Sequence, residues 1–189
     1  MVNRTGIKRF EGEEALAMRI LIAAALLALS IPQVRAQSVP DNQLIDYDGF
    51  VRNVVEVRAI RERHRVSEAE FLRMAAEPGV VILDARSERL YKLRHVRGAV
   101  NLSFPEFTEL TLSRLIPTKG TRILIYCNNN FEGAPESMPT KAISSALNVS
   151  TFVSLHAYGY RNVYELGPAV DVTTSRLPFE GAEVDRISG

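Results

Sequence analysis

The chain has 189 residues, of which 46% are hydrophobic and 24% are charged, a composition typical of a single folded domain. Its formal net charge is +1 and it contains no long run of Lys or Arg, which argues against a nucleic-acid-binding protein. Function must therefore be inferred from local sites rather than from bulk charge.

The N-terminus has the pattern of an export signal. Met18 and Arg19 precede an apolar segment from Ile20 to Ile31, and cleavage is expected after Ala36, where small residues provide the usual recognition pattern. The apolar segment is shorter than the roughly 20 residues that span a bilayer, which favours a removable signal over a membrane anchor. We therefore predict a periplasmic or secreted protein with no stable membrane insertion after cleavage.

Residues 1–17 precede a complete signal pattern, so they are either an extension of it or lie before a true start at Met18. We assign 1–36 to the signal peptide with this extension and 37–65 to an N-terminal helical segment.

An amphipathic helix is predicted within residues 41–65. Four apolar residues recur there at spacings of three and four, which is the period of one helix face: Phe50, Val54, Val57 and Ile60. The other face is charged and is expected to be solvated, with Arg58, Arg61, Glu62, Arg63 and Arg65.

Beyond residue 65, predicted helices alternate with short apolar strands. Ser67 and Glu70 predict a capping box that begins a helix over 67–77, and Pro78 with Gly79 ends it. The next predicted elements are strand 80–84, helix 87–94, strand 98–104, helix 105–116 with Pro105 in its first turn, strand 122–127, a helix around 148–158 ended by Gly159, and strand 162–166.

This alternation predicts an α/β fold with a mostly parallel sheet covered on both faces by helices. In such sheets the functional crevice lies at the carboxyl ends of the strands, and Cys127 follows the most apolar strand. As the only cysteine it cannot form an intramolecular disulfide. A buried cysteine with no chemical role is the alternative, but its place at a strand end favours a functional thiol.

The sequence resembles the rhodanese-like domain family. Six segments match the order of that family, and together they cover roughly Val66 to Gly181: VSEAEFLRM, VVILDAR, HVRGAVNLSFPEF, RILIYC, GYRNVYELGP and RLPFEG. The resemblance implies a rhodanese-like three-layer fold, with a central mostly parallel sheet flanked by helices, over residues 66–181. The N-terminal helix precedes this domain and a tail at 182–189 follows it.

The resemblance also implies a role for Cys127, which in that family accepts sulfane sulfur as a persulfide and passes it to a nucleophile. This chemistry needs a thiolate, which backbone N–H groups and a helix N-terminus stabilise. The residues that follow Cys127 form the expected active-site loop: Asn128, Asn129, Asn130, Phe131, Glu132 and Gly133. Asparagine suits such a loop because it tolerates left-handed backbone and binds nearby backbone groups, although an ordinary turn fits equally well.

This loop departs from the family pattern. Active loops in the family are shorter and often contain an Arg, whereas here the next helix is expected to begin only near Ser145 or Ala146. The intervening segment contains Glu132 and Glu136, and its only cation is Lys141, which either contacts a bound anion or is simply solvated. The related phosphatase chemistry would need an Arg at the position of Gly133 and is disfavoured.

Several other polar residues have structural explanations. The resemblance implies that Asp84 and Arg86 support the sheet end, and His95 is expected to be a hydrogen-bonded structural residue. His64 and His156 are predicted on separate helices without a paired cysteine, so we expect no metal site.

Two hypotheses follow for the whole protein. The first is an exported sulfurtransferase that uses Cys127, needs no metal or organic cofactor, and acts on a small sulfur donor and acceptor. The second is a catalytically silent rhodanese-like domain that binds a periplasmic protein or small ligand. Neither involves nucleic acid.

Overall fold

The computed structural model describes residues 42–188. The predicted signal peptide and its cleavage site lie outside the described residues. Within residues 42–188, no helix combines the length and the apolar character needed to cross a membrane. The elements below belong to the compact unit Ile45–Gly189.

Six helices and nine short strands make up the described chain. The helices are α1 (Tyr47–His64), α2 (Glu68–Ala75), α3 (Glu88–Leu93), α4 (Glu109–Leu115), α5 (Leu147–Ala157) and α6 (Ala182–Ser188). The strands are β1 (Arg65–Val66), β2 (Val81–Asp84), β3 (His95–Val96), β4 (Val100–Asn101), β5 (Ile123–Tyr126), β6 (Phe131–Glu132), β7 (Val163–Leu166), β8 (Val170–Asp171) and β9 (Phe179–Glu180). The segment 182–189, expected as a tail, thus begins with helix α6.

The central sheet has five strands in the order β1-β7-β5-β2-β4, and all of its pairings are parallel. The strand β5 is central, with Leu124 opposite Ile82 on β2 and Tyr164 on β7. Two smaller pairs, β3 with β9 and β6 with β8, lie outside this sheet. The predicted α/β fold, with a parallel sheet flanked by helices and preceded by an N-terminal helix, is confirmed.

Two hydrophobic layers cover the two faces of the sheet, and β5 contributes to both because side chains alternate along a strand. Ile123 and Ile125 pack into the layer that includes Val57 of α1 and Leu155 of α5. Leu124 and Tyr126 pack into the layer that contains Phe71 of α2, along with Phe131, Ala134 and Met138. All four side chains of β5 are at most 1% exposed, so the strand that leads to Cys127 has no solvated face.

The predicted helix over 105–116 is wrong at its start. Pro105 lies in a separate 3-10 turn, Phe104–Glu106, and α4 begins only at Glu109. The reason is a stronger cap: Thr108 Oγ1 accepts a hydrogen bond of 3.1 Å from the N–H of Thr111, whose hydroxyl in turn accepts the N–H of Thr108 at 2.9 Å. At α2, by contrast, Ser67 caps Glu70 N–H at 3.2 Å, but the Glu70 carboxylate binds Arg73 instead of completing the predicted box.

The predicted apolar stripe on α1 is only half buried. Val57 is 2% exposed, whereas Phe50 is 53% and Val54 is 38% exposed. The C-terminal half of α1 packs on the sheet layer, but near Phe50 only a shallow cleft separates the helix from Val153 and Ala157 of α5.

A buried polar network ties the carboxyl end of β2 to three other segments. Arg86 binds Asp84 through Nε, 2.9 Å from Oδ1, and through Nη2, 2.5 Å from Oδ2. The same guanidinium donates to the carbonyls of Ser137 at 2.9 Å and of Arg94 at 2.7 Å. The hydroxyl of Tyr126 on β5 donates to Asp84 Oδ2 at 2.6 Å. Every charge and donor in this buried site therefore has a close partner.

The electrostatics of the network follow from this pairing. Burial lowers the pKa of Arg86, but hydrogen bonds and the charge of Asp84 outweigh it, so that pKa is raised overall. Burial and the Asp84 charge hold the pKa of Tyr126 well above its ordinary value. The network thus keeps a charged guanidinium and a protonated phenol.

Arg86→Met should destabilise the protein strongly, because it leaves Asp84 buried without its cation and two carbonyls without a donor. We expect a loss of about 3–5 kcal/mol in the free energy of unfolding, measured by urea denaturation. The matched control is Lys92→Met, whose ion pair with Glu88 is about 70% exposed on both sides and should be worth less than about 1 kcal/mol. Equal effects of the two substitutions would contradict this account.

Candidate active site around Cys127

Cys127 lies directly after β5 and is 2% exposed. The backbone N–H groups of Asn129, Leu147 and Asn148 lie near its sulfur and lower the pKa of the thiol. Leu147 and Asn148 are the first residues of α5, whose preceding residue Ala146 provides no side-chain cap. The first N–H groups of a helix have no partner within the helix, so those near the sulfur are available to favour its anion.

Two opposing effects act on the pKa of this thiol. Burial raises the pKa of Cys127, while the hydrogen bonds from Asn148, Asn129 and Leu147 lower it and the negative charge of Glu165 raises it. The net result is a pKa above the ordinary value of a thiol. The cradle of N–H groups is present, but it does not fully offset the loss of solvent.

Glu165 is the charged residue of the central sheet that sequence reasoning missed. Its side chain is 3% exposed and accepts two hydrogen bonds of 2.6 Å from Arg61 on α1, with Arg65 at 3.5 Å. The expectation of a solvated face is therefore wrong for Arg61, because a buried carboxylate on β7 holds it against the sheet, whereas Arg65 is exposed as expected. An acidic residue inside the apolar segment 162–166 was the signal in the sequence.

Asn130 connects the three segments that form the site. Its Oδ1 accepts the backbone N–H of Cys127 at 2.9 Å and the side-chain amide of Asn148 at 2.9 Å. Its Nδ2 donates to the carbonyls of Leu166 at 2.8 Å and Pro168 at 3.1 Å. One buried side chain thus links the end of β5, the start of α5 and the end of β7.

The other two asparagines have different surroundings. Asn129 pairs with the backbone of Lys141 through two hydrogen bonds of 2.9 Å, which closes the long segment on itself. Asn128 is 2% exposed, and its Oδ1 has no hydrogen-bond partner among the described residues. Residues 128–130 form a 3-10 turn, and within residues 42–188 only glycines have positive φ. Left-handed backbone therefore does not explain the asparagines here, whereas side-chain hydrogen bonds account for Asn129 and Asn130.

The long segment after the cysteine contacts the rest of the domain at several points. Phe131 is 2% exposed and packs edge-on to Tyr126 and Phe179, with ring centroids 5.7 and 5.3 Å away. The strand β6 that it begins pairs in parallel with β8. Gly133 follows with φ of 81°, where a Cβ would lie 3.1 Å from Asp171 Oδ1, so this turn requires glycine.

Farther along, Ser137 and Met138 return to the core, where Arg86 donates to the Ser137 carbonyl at 2.9 Å and contacts Met138 Sδ at 2.8 Å. A 3-10 turn at Ile143–Ser145 precedes α5, so the helix begins at Leu147, slightly later than predicted.

The acidic residues of this segment do not surround the sulfur. Glu132 and Glu136 are exposed, and Glu136 lies 3.8 Å from Arg186. A cleft of about 460 Å³ opens beside the Cys127 loop, and it is lined by Asn128, Lys141 and Leu147 but by no carboxylate. The unfavourable charge balance read from the sequence therefore does not apply to the cleft.

The histidines have local partners. His95 stacks on Tyr91 with ring centroids 3.8 Å apart, its Nδ1 lies 2.8 Å from the Tyr91 carbonyl, and its Nε2 lies 3.6 Å from Glu180. His64 stacks on Tyr164 and His156 lies 3.2 Å from Glu56. Among residues 42–188, no group of three or more His, Cys, Asp or Glu side chains is placed to hold a metal ion.

Cys127 lies at the carboxyl end of the central strand of a parallel five-stranded sheet, near the N-terminus of a helix. These features define an α/β protein with a candidate sulfur site. The family described as "Rhodanese-like domain" matches residues 67–167. The chain belongs to the rhodanese-like domain family. A comparison with curated protein sequences finds no significant relative.

Solved structures of similar fold include several bacterial proteins. The BH2092 protein of Bacillus halodurans is 19% identical, with 70% of this chain and 88% of that chain covered and a TM-score of 0.47. The rhodanese-like domain of the Alr3790 protein from Anabaena sp. is 24% identical, with coverages of 65% and 83% and a TM-score of 0.46. A thiosulfate sulfurtransferase from Pseudomonas aeruginosa is 21% identical, with coverages of 70% and 23% and a TM-score of 0.45.

Glu165→Gln should lower the pKa of Cys127, because it removes a negative charge that raises this pKa while keeping an oxygen for Arg61. The rate of alkylation by iodoacetamide as a function of pH reports this thiol alone, since the chain has one cysteine. We expect the alkylation curve of the variant to rise at lower pH than that of the wild type.

Glu136→Gln is the matched control, because this carboxylate is 73% exposed and should leave the curve in place. A Glu165→Gln curve that is unchanged, or that moves to higher pH while the protein remains folded, would contradict the assignment.

Proposed function

We propose that this protein is an exported sulfurtransferase that carries sulfane sulfur as a persulfide on Cys127. The observation that carries the proposal is the convergence of backbone N–H groups from Asn129, Leu147 and Asn148 on the sulfur. Such donors stabilise an anionic sulfur without a counter-ion, both as the thiolate and as the longer persulfide anion. Membership of the rhodanese-like domain family supports the same chemistry.

The reaction has two steps. The Cys127 thiolate attacks the outer sulfur of a donor, a new S–S bond forms, and the bond between that sulfur and the rest of the donor breaks, with its electron pair leaving on the remnant. A nucleophilic acceptor then takes the outer sulfur, and Cys127 leaves as the thiolate. Neither step needs a metal or an organic cofactor. The N–H groups stabilise the negative charge on the thiolate and on the persulfide, while burial excludes water that would otherwise compete.

Incubation of the mature protein with thiosulfate or inorganic polysulfide should add one sulfur atom, detected by intact-protein mass spectrometry. Treatment with cyanide should remove that atom and release thiocyanate. Cys127→Ser should gain no sulfur, because the chain has no other cysteine. The proposal fails if no donor produces the heavier species on a folded wild-type protein.

A catalytically silent domain that binds a periplasmic protein or a small ligand is the second candidate. It is favoured by the burial of Cys127, which is 2% exposed and has a pKa above its ordinary value, so little thiolate is present at neutral pH. This candidate predicts a thiol that acquires no sulfur from any donor. Formation of the persulfide therefore separates the two functions directly.

Export is the part of the proposal that rests on residues 18–36 alone. Expression of the full chain in a Gram-negative host should yield a periplasmic protein whose first residue is Gln37, determined by N-terminal sequencing. Deletion of residues 18–36 should leave the protein in the cytoplasm. Recovery of an uncleaved chain from the cytoplasm in both cases would contradict export.

A further inference from the structure

The side chains of Asn130 and Asn148 form a buried amide pair beside Cys127. Asn130 Oδ1 accepts the side-chain N–H of Asn148 at 2.9 Å and the backbone N–H of Cys127 at 2.9 Å. Its Nδ2 donates to the carbonyls of Leu166 at 2.8 Å and Pro168 at 3.1 Å. Since an asparagine amide can accept two hydrogen bonds and donate two, the hydrogen-bonding capacity of Asn130 is fully used.

These partners fix the orientation of both amides. Reversing the Asn130 amide would bring donors to donors and acceptors to acceptors, so its Oδ1 must face the two N–H groups. Asn148 must then point its Nδ2 at Asn130, which leaves its own Oδ1 buried without a hydrogen-bond partner among the described residues. Because an unpaired buried oxygen is costly, stability alone would favour an apolar residue at position 148. The pair therefore indicates a role beyond stability.

The pair joins two segments whose relative position determines the surroundings of the sulfur. Asn130 is held to the end of β5 through the Cys127 backbone, whereas Asn148 lies in the first turn of α5. The N–H groups of Leu147 and Asn148 lie near the sulfur, and Ala146 provides no side-chain cap for them. Hydrogen bonds weaken steeply when their geometry is poor, so a small displacement of α5 would remove much of this stabilisation of the anion.

We infer that Asn130 and Asn148 are positioning residues for Cys127: their amide pair holds the first turn of α5 against the end of β5, with its N–H groups directed at the sulfur. Both act through the backbone rather than by touching a substrate. The effect of the pair on the thiol is independent of sulfur transfer, whereas its effect on the transfer rate rests on the proposed function.

A charged group acts on the same thiol and must be distinguished from the pair. Glu165 on β7 raises the pKa of Cys127, and the guanidinium groups of Arg61 on α1 and Arg65 on β1 lie 2.6 and 3.5 Å from its carboxylate. These ion pairs do not involve the amide pair, so a substitution on α5 should leave them in place.

Asn148→Ala tests the pair directly. It removes the amide from α5 and keeps the bonds of Asn130 to the two carbonyls, and alanine is favourable within a helix. Asn130→Ala also removes the bonds to Leu166 and Pro168, so it is the more disruptive substitution. For both variants, the rate of iodoacetamide alkylation of Cys127 is measured against pH. We expect the curve to move to higher pH by roughly one unit, the effect of losing about one hydrogen bond to an anion.

Asn101→Ala is the matched control. Asn101 on β4 also donates two hydrogen bonds to carbonyls at a strand end, those of Asp84 at 2.8 Å and Arg86 at 2.9 Å. Its substitution should lower the free energy of unfolding in urea and leave the alkylation curve in place. The double variant Asn130→Ala, Asn148→Ala should move the curve by less than the sum of the two single variants, because both interrupt the same pair.

Persulfide formation from thiosulfate gives the second readout. At neutral pH its kcat/KM should fall about tenfold in Asn148→Ala, because the thiolate fraction falls by that factor. An unchanged alkylation curve in folded Asn148→Ala, or an equal shift in Asn101→Ala, would overturn the positioning role even where the persulfide forms normally. If no donor forms a persulfide but the curve moves as expected, the proposed function fails and the positioning role stands.

Discussion

The buried pair of Asp84 and Arg86 is the constraint on which the site depends. A charge pair in a dry interior is stable only when its remaining donors and acceptors are satisfied. Here those partners come from different parts of the chain: the Tyr126 hydroxyl on β5 and the carbonyls of Arg94 and Ser137. The strand that ends in the cysteine and the long segment after it are thereby attached to the same buried charge.

This attachment explains how the domain accommodates the long segment between its cysteine and the following helix. The segment forms a strand of its own, returns to the core at Met138, and closes on itself where Asn129 pairs with the backbone of Lys141. The extra residues therefore extend the scaffold around the site. They leave the N-terminus of α5 free to donate to Cys127, and the cleft open on the side of Phe104.

The pKa of the Cys127 thiol is set by two opposing effects, the loss of solvent and the nearby backbone N–H groups. Burial removes water, and Glu165 adds a negative charge, while three backbone N–H groups favour the anion. Arg61 of α1 donates two hydrogen bonds to the Glu165 carboxylate and partly balances its negative charge. The helix α1 therefore influences the charge near Cys127, although it lies outside the residues matched by the family.

The sequence by itself determined the alternation of strands and helices, the parallel sheet, and the place of Cys127 at a strand end, because period, turn residues and apolar runs are local signals. Local signals misjudged the start of α4, where Thr108 caps the helix, and the exposure of Arg61, which binds a carboxylate far along the chain. The N–H groups near the sulfur, the different surroundings of the three asparagines and the cleft without acidic residues were decided only by the tertiary structure. Each depends on contacts between distant segments, and no local pattern specifies which buried polar group meets which partner.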